Sequence, residues 1–226
     1  MSKTNLSILF LGKANDPYCA RALAFCQERF SQVTACLGTW GDPLPDAARA
    51  WQGDYIISYL SRWVVPGFLL ERARLASFNF HPASPEYPGI GCNNFALYEH
   101  AEEYGVTCHH MAPKVDTGAI IAVKRFPVYP EDGVAELLER TYEHQIALFL
   151  EIVGALASGQ DLPVSDERWA RPPFTREQFN ELFVITPEMD ADEIARHIRA
   201  TSYKSWQPYV LLKGYKFQYM PGDDNA

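Results

Sequence analysis

The run Leu6-Ser7-Ile8-Leu9-Phe10-Leu11, closed by Gly12, is apolar almost throughout instead of alternating. A strand of that kind has to be covered on both faces, which is the situation of a strand inside a parallel sheet. The residues that follow fit the same plan. Asp16-Pro17 is a helix start, since proline is tolerated in the first turn, and Tyr18, Ala22, Phe25, Cys26 and Phe30 recur at helical spacing. Val33 to Leu37 predicts a second strand and Tyr55-Ile56-Ile57-Ser58-Tyr59-Leu60 a third, with a loop carrying Gly41, Pro43 and Pro45 between them. Strand and helix alternate, so the expected class is α/β: a Rossmann-like, mostly parallel sheet flanked by helices and wound with right-handed crossovers.

Bulk properties narrow the partners. A chain of 226 residues, 47% apolar, can build one large domain or one domain with a small appendage. A net charge of -8 without a cluster of Lys and Arg excludes a dedicated nucleic-acid surface. Cys19, Cys26, Cys36, Cys92 and Cys108 are odd in number and never form a Cys-x-x-Cys pair, which predicts neither disulfides nor a zinc site and fits a reducing cytoplasm. The opening residues lack a signal-peptide pattern, and no apolar run approaches the ~20 residues that span a bilayer, so a soluble protein without membrane association is expected.

Two loops near the strand ends attract attention. Gly12-Lys13-Ala14-Asn15 offers one glycine where a dinucleotide fingerprint needs three, so a nucleotide-dehydrogenase reading is weak. Arg62-Trp63-Val64-Val65-Pro66 follows the third strand, where ligands collect in open α/β sheets. The plain structural reading of that segment puts Pro66 in the first turn of a helix and the apolar residues in the core.

The chemistry lies between Phe78 and Asp116. Leu75 to Phe80 predicts a strand that delivers Asn79 and His81 to its carboxyl end, and two-residue spacing points both side chains the same way. A helix is expected over Cys92 to Tyr104 with Gly105 as its stop, then strands at Thr107–Met111 and Ile120–Lys124 bracketing a loop with Asp116. An amide that polarises a carbonyl, an imidazole that moves a proton and a carboxylate that orients the imidazole suit acyl transfer to an amine. His109 and His110 are neighbours on a strand and face opposite sides, so they read as one strand histidine hydrogen-bonded near the site and not as a metal pair; no metal is expected.

After Glu131-Asp132-Gly133 comes a long helix whose Leu138, Tyr142, Ile146, Phe149, Val153 and Leu156 make one apolar face, ended by Gly159. Arg168 to Arg176, with Trp169 and Pro172-Pro173, reads as an irregular connector. Asp190 and Glu193 resemble a capping box, and Tyr209–Leu212 with Tyr215–Tyr219 around Gly214 predict a terminal hairpin. The expected organisation is a catalytic domain over 1–165 and a small C-terminal α+β tail over 166–226. The tail carries Phe174, Phe179, Phe183, Trp206, Tyr209, Tyr215, Phe217 and Tyr219, more aromatic surface than a hairpin buries alone, so it should cover the catalytic domain or a second copy of the chain as a homodimer.

Asn79-Phe80-His81-Pro82, Pro88-Gly89, Gly105-Val106-Thr107-Cys108-His109 and Val115-Asp116-Thr117-Gly118 together resemble the formyltransferase family that uses 10-formyltetrahydrofolate, over roughly Leu6 to Leu156. The resemblance implies that Asn79, His81 and Asp116 are the catalytic set. It also implies that the pterin of the folate co-substrate lies between the loop Arg62, Trp63, Val64, Val65 and the loop Ala112, Pro113, Lys114, Val115, Asp116, held largely by main-chain groups. Where many members have Ser-Leu-Leu-Pro and then Arg-Gly, this chain has Ala83-Ser84-Pro85-Glu86-Tyr87-Pro88-Gly89, a departure on the acceptor side. Ile198-Arg199-Ala200, Pro208, Gly214 and Lys216 resemble the opening of the family's C-terminal region and stop short of the barrel of the tRNA-modifying members. With the acidic charge, this points to a small-molecule amine acceptor, a nucleotide-linked amino sugar first and a hydroxylamine or other small amine second. A hydrolase using the same three residues and a catalytically silent folate- or sugar-nucleotide-binding protein are the rival readings.

Overall fold

The computed structural model describes residues 3–220. Six strands form one sheet in the order β2-β1-β3-β4-β5-β6, from β1 (Thr4–Lys13), β2 (Phe30–Gly38), β3 (Gly53–Tyr59), β4 (Ala73–His81), β5 (Glu103–His110) and β6 (Ile120–Pro127). The first four are parallel, and β5 and β6 run antiparallel to their neighbours, so the sheet is mostly parallel, as expected. The chain moves outward from β1 to β2 and then crosses back to β3. That reversal opens a crevice beyond the carboxyl ends of β1 and β3, the usual ligand position in such sheets.

The unbroken apolar run of β1 is split between two layers. Ile8 and Phe10 enter one fully buried cluster, Leu9 and Leu11 the other, because successive side chains of a strand face opposite sides. The larger layer is built on α1 (Pro17–Arg29) and α5 (Val134–Ala157). Asp16 caps α1 by accepting a hydrogen bond from the Cys19 amide at 3.0 Å, with Pro17 in the first turn. Phe149 of α5 packs its ring against Phe10, Tyr59 and Phe80 at 6.3, 5.1 and 4.9 Å, so truncating it to Ala should cost about 3–5 kcal/mol. The smaller layer lies under α2 (Asp46–Ala50) and α3 (Gly67–Leu70), with Trp51, Val65 and Leu69.

Some boundaries differ from the sequence expectation. Helix α1 stops at Arg29, and Phe30 already belongs to β2. Helix α4 spans only Cys92–Tyr98, and the expected run to Tyr104 fails because His100 turns the chain at φ +53 while the Ala101 amide bonds back to the Ala96 carbonyl at 2.9 Å. Tyr104, Val106 and Cys108 then alternate into the core as strand β5. Gly105 is therefore a strand residue and not a helix stop: a Cβ there would lie 2.9 Å from the Lys124 carbonyl across the β5–β6 pair.

The remaining elements are α6 (Arg176–Glu181), β7 (Val184–Ile185), α7 (Ala191–Thr201), β8 (Tyr209–Leu212) and β9 (Tyr215–Gln218), the three strands forming a second sheet in the order β7-β8-β9. Asp190 caps α7 by accepting from the Glu193 amide at 2.8 Å. Helix α7 packs on α4, where Asn94 donates its side-chain amide to the Ala200 carbonyl at 2.6 Å and Tyr98 meets His197 edge to face. The hairpin leaves Leu211, Tyr215 and Phe217 exposed. Among the described residues no helix is long and apolar enough to cross a membrane.

Candidate active site

The carboxyl end of β4 and the residues just past it are fixed by three buried side chains donating to main-chain carbonyls. Gln145 of α5 donates to Phe80 at 2.7 Å, Tyr104 to Pro82 at 3.0 Å and Thr107 to Ala83 at 2.7 Å. Each donor satisfies a carbonyl as the strand runs out, and together they hold the two residues that alternate with the core rings Phe78 and Phe80, namely Asn79 and His81. The antiparallel register of β4 and β5 sets His109 directly opposite Asn79. That pairing explains why His109 joins the site while His110 faces away.

Asp116 completes the cluster from the β5–β6 loop, in the left-handed region at φ +48. Its Oδ2 lies 3.4 Å from His81 Nδ1 and accepts a hydrogen bond from the Gly89 amide at 2.9 Å; its Oδ1 lies 3.4 Å from His109 Nε2. His81 Nε2 faces the Tyr87 carbonyl at 3.1 Å, so both ring nitrogens of His81 look at acceptors. His109 Nδ1 lies 2.8 Å from the His110 carbonyl, and its Nε2 faces the Asn79 amide nitrogen at 3.2 Å as well as Asp116 Oδ1. The amide of Asn79 is thus oriented by a residue that sequence reasoning placed only near the site. The strand register was the signal that could have found it.

Electrostatics follow from this geometry. Burial opposes ionisation of Asp116, but the His81 charge, the His109 hydrogen bond and charge, and the Gly89 amide outweigh it and hold the carboxyl down to about 2 from 3.8. Burial also holds His81 below the ordinary imidazole value, helped by the neighbouring His109 and opposed by Asp116 and the Tyr87 carbonyl. At neutral pH the pair is therefore a carboxylate beside a buried imidazole with one N–H for two acceptors. A proton delivered to that ring finds its hydrogen-bond partner already in place.

A segment from the connector laces this region together. The Ala170 amide donates to Pro85, Phe174 to Pro88 and Ile90 back to Phe174, at 3.0, 2.9 and 3.1 Å. Gly89, at φ +94, admits this strap only because it lacks a side chain: a Cβ would sit 2.5 Å from the Phe174 main chain. Trp169 of the same strap packs edge-on against His81 and His109, with centroids 5.8 and 5.1 Å away, and donates its indole N–H to the Gly118 carbonyl at 2.8 Å. The expected division at 165/166 falls just before this strap.

Two cavities meet at Asn79. One, of about 350 Å³, is bounded by Arg62, Trp63, Val64 and Val65 on one side and Ala112, Val115 and Asp116 on the other, with Met111 and Phe174 adding apolar wall. The expected loop residues thus converge, except that Pro113 and Lys114 are exposed and do not line it. The segment does not match its plain structural reading. Pro66 precedes the short helix α3 as its N-cap, Val64 is 69% exposed, and only Val65 enters the core. Trp63 is pinned by its indole N–H to the Asp42 carbonyl at 2.8 Å and occupies the space over Gly38, where a Cβ would be 2.3 Å from the ring. The second cavity, of about 270 Å³, is lined by Lys13, Tyr142, Cys92, His81 and Pro82. Ser61, Arg62, Asn79 and Gly89 line both. Among the described residues no group of three or more His, Cys, Asp or Glu is arranged to hold a metal.

Residues 41–153 match the family model described as formyl transferase, half of the chain. The chain belongs to the formyl transferase family. It is 30% identical over 173 residues to a GDP-perosamine N-formyltransferase from Brucella melitensis, covering 76% of this chain and 65% of that protein, so it spans about two thirds of that relative's length. Among solved structures, a sugar N-formyltransferase from Shewanella sp aligns at a TM-score of 0.76 with 17% identity, over 94% of this chain and 96% of the other. An N-formyltransferase from Helicobacter canadensis, in complex with folinic acid and dTDP-3-aminofucose, aligns at 0.70 with 20% identity, over 93% of this chain and 86% of that one. These two likenesses establish the shared fold.

Proposed function

We propose that this formyltransferase moves the formyl group of 10-formyltetrahydrofolate to the primary amine of a nucleotide-linked amino sugar, with Asn79, His81 and Asp116 as its catalytic set. The observation that carries the reading is the junction of two cavities at one amide. The larger cleft suits a reduced folate: it is a slot with apolar walls between two loops, and its residues Arg62, Trp63, Val64, Val65, Ala112, Val115 and Asp116 would hold the pterin. Bound there, 10-formyltetrahydrofolate supplies the formyl group. The smaller cavity, with Lys13 and Arg62 at hand, suits the acceptor and an anionic group attached to it.

Each residue then has a task. Asn79, oriented by His109, donates its free amide N–H to the formyl oxygen as negative charge develops there. His81 borders the acceptor cavity and takes the proton that the attacking amine gives up, Asp116 pairs with the imidazolium so formed, and as the bond from the formyl carbon to N10 breaks that proton passes to N10. No covalent bond to the protein is required. The folding unit that carries this chemistry is assigned to 1–165 and the tail to 166–226. The exposed apolar hairpin of that tail, with its open β9 edge, is assigned to contact between two copies of the chain in a cytoplasmic homodimer.

Supporting names are those of the relative that acts on GDP-perosamine and the fold neighbour bound to folinic acid and an amino-sugar nucleotide. The test is calorimetric titration with 5-formyltetrahydrofolate, followed by tetrahydrofolate release measured with and without a panel of nucleotide-linked amino sugars. Binding with amine-dependent release is expected. Absence of binding would sink the donor assignment, and release indifferent to every amine would identify a hydrolase instead.

A further inference from the structure

We propose that Trp169 is a positioning residue that walls the His81–Asp116–His109 cluster off from the solvent cleft beside the strap, and that it thereby commits the formyl group to the amine. The second half of this statement rests on the function proposed above. Trp169 lies outside the matched family region, in the strap that crosses the site. It fills the space beside both imidazoles edge-on, and His81 and His109 are only 5% and 2% exposed.

Beside the strap lies a separate cleft of about 380 Å³, open to solvent and lined by Thr117, Gly118, Val164, Glu167 and Arg168. Trp169 lines this cleft as well, whereas His81, His109 and Asp116 do not. Trp169 thus borders both this water-accessible cleft and the buried imidazoles. Its anchoring to the Gly118 carbonyl ties this wall to the loop that carries Asp116. The groups facing His81 are Asp116 from the β5–β6 loop, His109 from β5, the Tyr87 carbonyl and this ring.

Without the ring, water from this cleft reaches the same base that serves the amine. The competing step is balanced by water alone. A water oxygen bonds to the formyl carbon while giving a proton to His81, the bond from that carbon to N10 breaks, and N10 takes up a proton. The products are formate and tetrahydrofolate. Excluding water from a reactive centre is a recognised means of suppressing such hydrolysis.

The test compares full-length wild type with Trp169→Ala and Trp169→Phe. The Phe variant keeps a ring in the wall and loses the N–H to Gly118. First, with no ligand present, the His81 titration is followed by NMR. It should move toward higher pH in Trp169→Ala as the ring hydrates, and stay near wild type in Trp169→Phe. Second, formate released from 10-formyltetrahydrofolate without amine should rise on the order of tenfold in Trp169→Ala and little in Trp169→Phe. A folded Trp169→Ala protein with an unmoved His81 titration overturns the proposal. So does a Phe variant that leaks as much as the Ala variant. The ligand-free titration stands independently of activity, so a wild type that neither binds folate nor transfers formyl defeats the proposed function and leaves the wall to be judged by NMR alone.

Discussion

The two cavities that share Asn79 are unlike in size and in what surrounds them. The larger is a cleft between loops, with the Trp63 ring held over Gly38 and valines, Met111 and Phe174 around it. The smaller is bounded by polar and cationic groups, Lys13, Arg62, Tyr142 and His81. Shape and apolar contact select the occupant of the first, while charge and hydrogen bonding select that of the second. Of the residues common to both, Ser61, Asn79 and Gly89 therefore contribute little to choosing either ligand and much to bringing the two together, while Arg62 also brings charge to the smaller cavity. Recognition and chemistry are spatially separated, so substitutions should separate them too.

The largest effect should come from the shared wall. Asn79→Ala removes the proposed donor to the developing oxyanion, and loss of one such donor costs on the order of a hundred- to a thousand-fold in turnover. His81→Ala should cost at least as much, while folate affinity measured by calorimetry changes less than about tenfold in either variant. A proportional loss of folate binding would mean that the two cavities are one site.

Asp116→Asn should come next, with its largest reading in stability. The folded carboxyl titrates at about 2 and the unfolded one near 3.8, so its contribution is present above 3.8 and is lost as pH falls through the folded value. That depression corresponds to about 2 kcal/mol at pH 7. Urea melts of wild type should lose that stability between about pH 4 and pH 2, and melts of Asp116→Asn should be flatter there. The pH optimum of the remaining activity should also shift, because the charge that favours the imidazolium is gone.

The smallest effects should mark the two sides apart. Trp63→Ala strips the donor cleft of its indole and should raise the KM for the folate about tenfold, leaving the KM for the amine unchanged. Tyr142→Phe removes one hydroxyl from the acceptor cavity and should raise the KM for the amine a few-fold, leaving the folate KM alone. Steady-state kinetics varying each substrate in turn reads both. An effect that crosses from one side to the other would redraw the boundary at Asn79.

What could be read from sequence followed local periodicity. The apolar run of β1 and the face of α5 specify their own environment, and the two-residue spacing of Asn79 and His81 places both on one side of β4. Helix α4 is shorter than the pattern suggests because Tyr104 falls at a helical interval from Leu97 and Ala101, yet a positive φ at His100 changes the period from helical to alternating. The two glycines expected to stop helices differ: Gly159 ends the long helix at φ +81, as expected, whereas Gly105 serves a close strand pair. His109 and Trp169 could not be assigned from spacing at all. One depends on cross-strand register, and the other reaches the imidazoles through a segment without regular secondary structure.

The strap that crosses the site also has a consequence in time. Gly89 is made long before Phe174, yet the carboxylate–histidine arrangement depends on the loop around Gly89 that the later segment clamps. At about 5–20 residues per second, a translating ribosome separates the two by on the order of ten seconds. The sheet strands β1 to β6 are all synthesised within that interval or before it, so the scaffold has its full set of strands while the loop beside the imidazoles still lacks its clamp. On a growing chain, competence arrives only when the connector clears the exit tunnel. A nascent chain stalled shortly before that point would carry every member of the proposed catalytic set and no finished site.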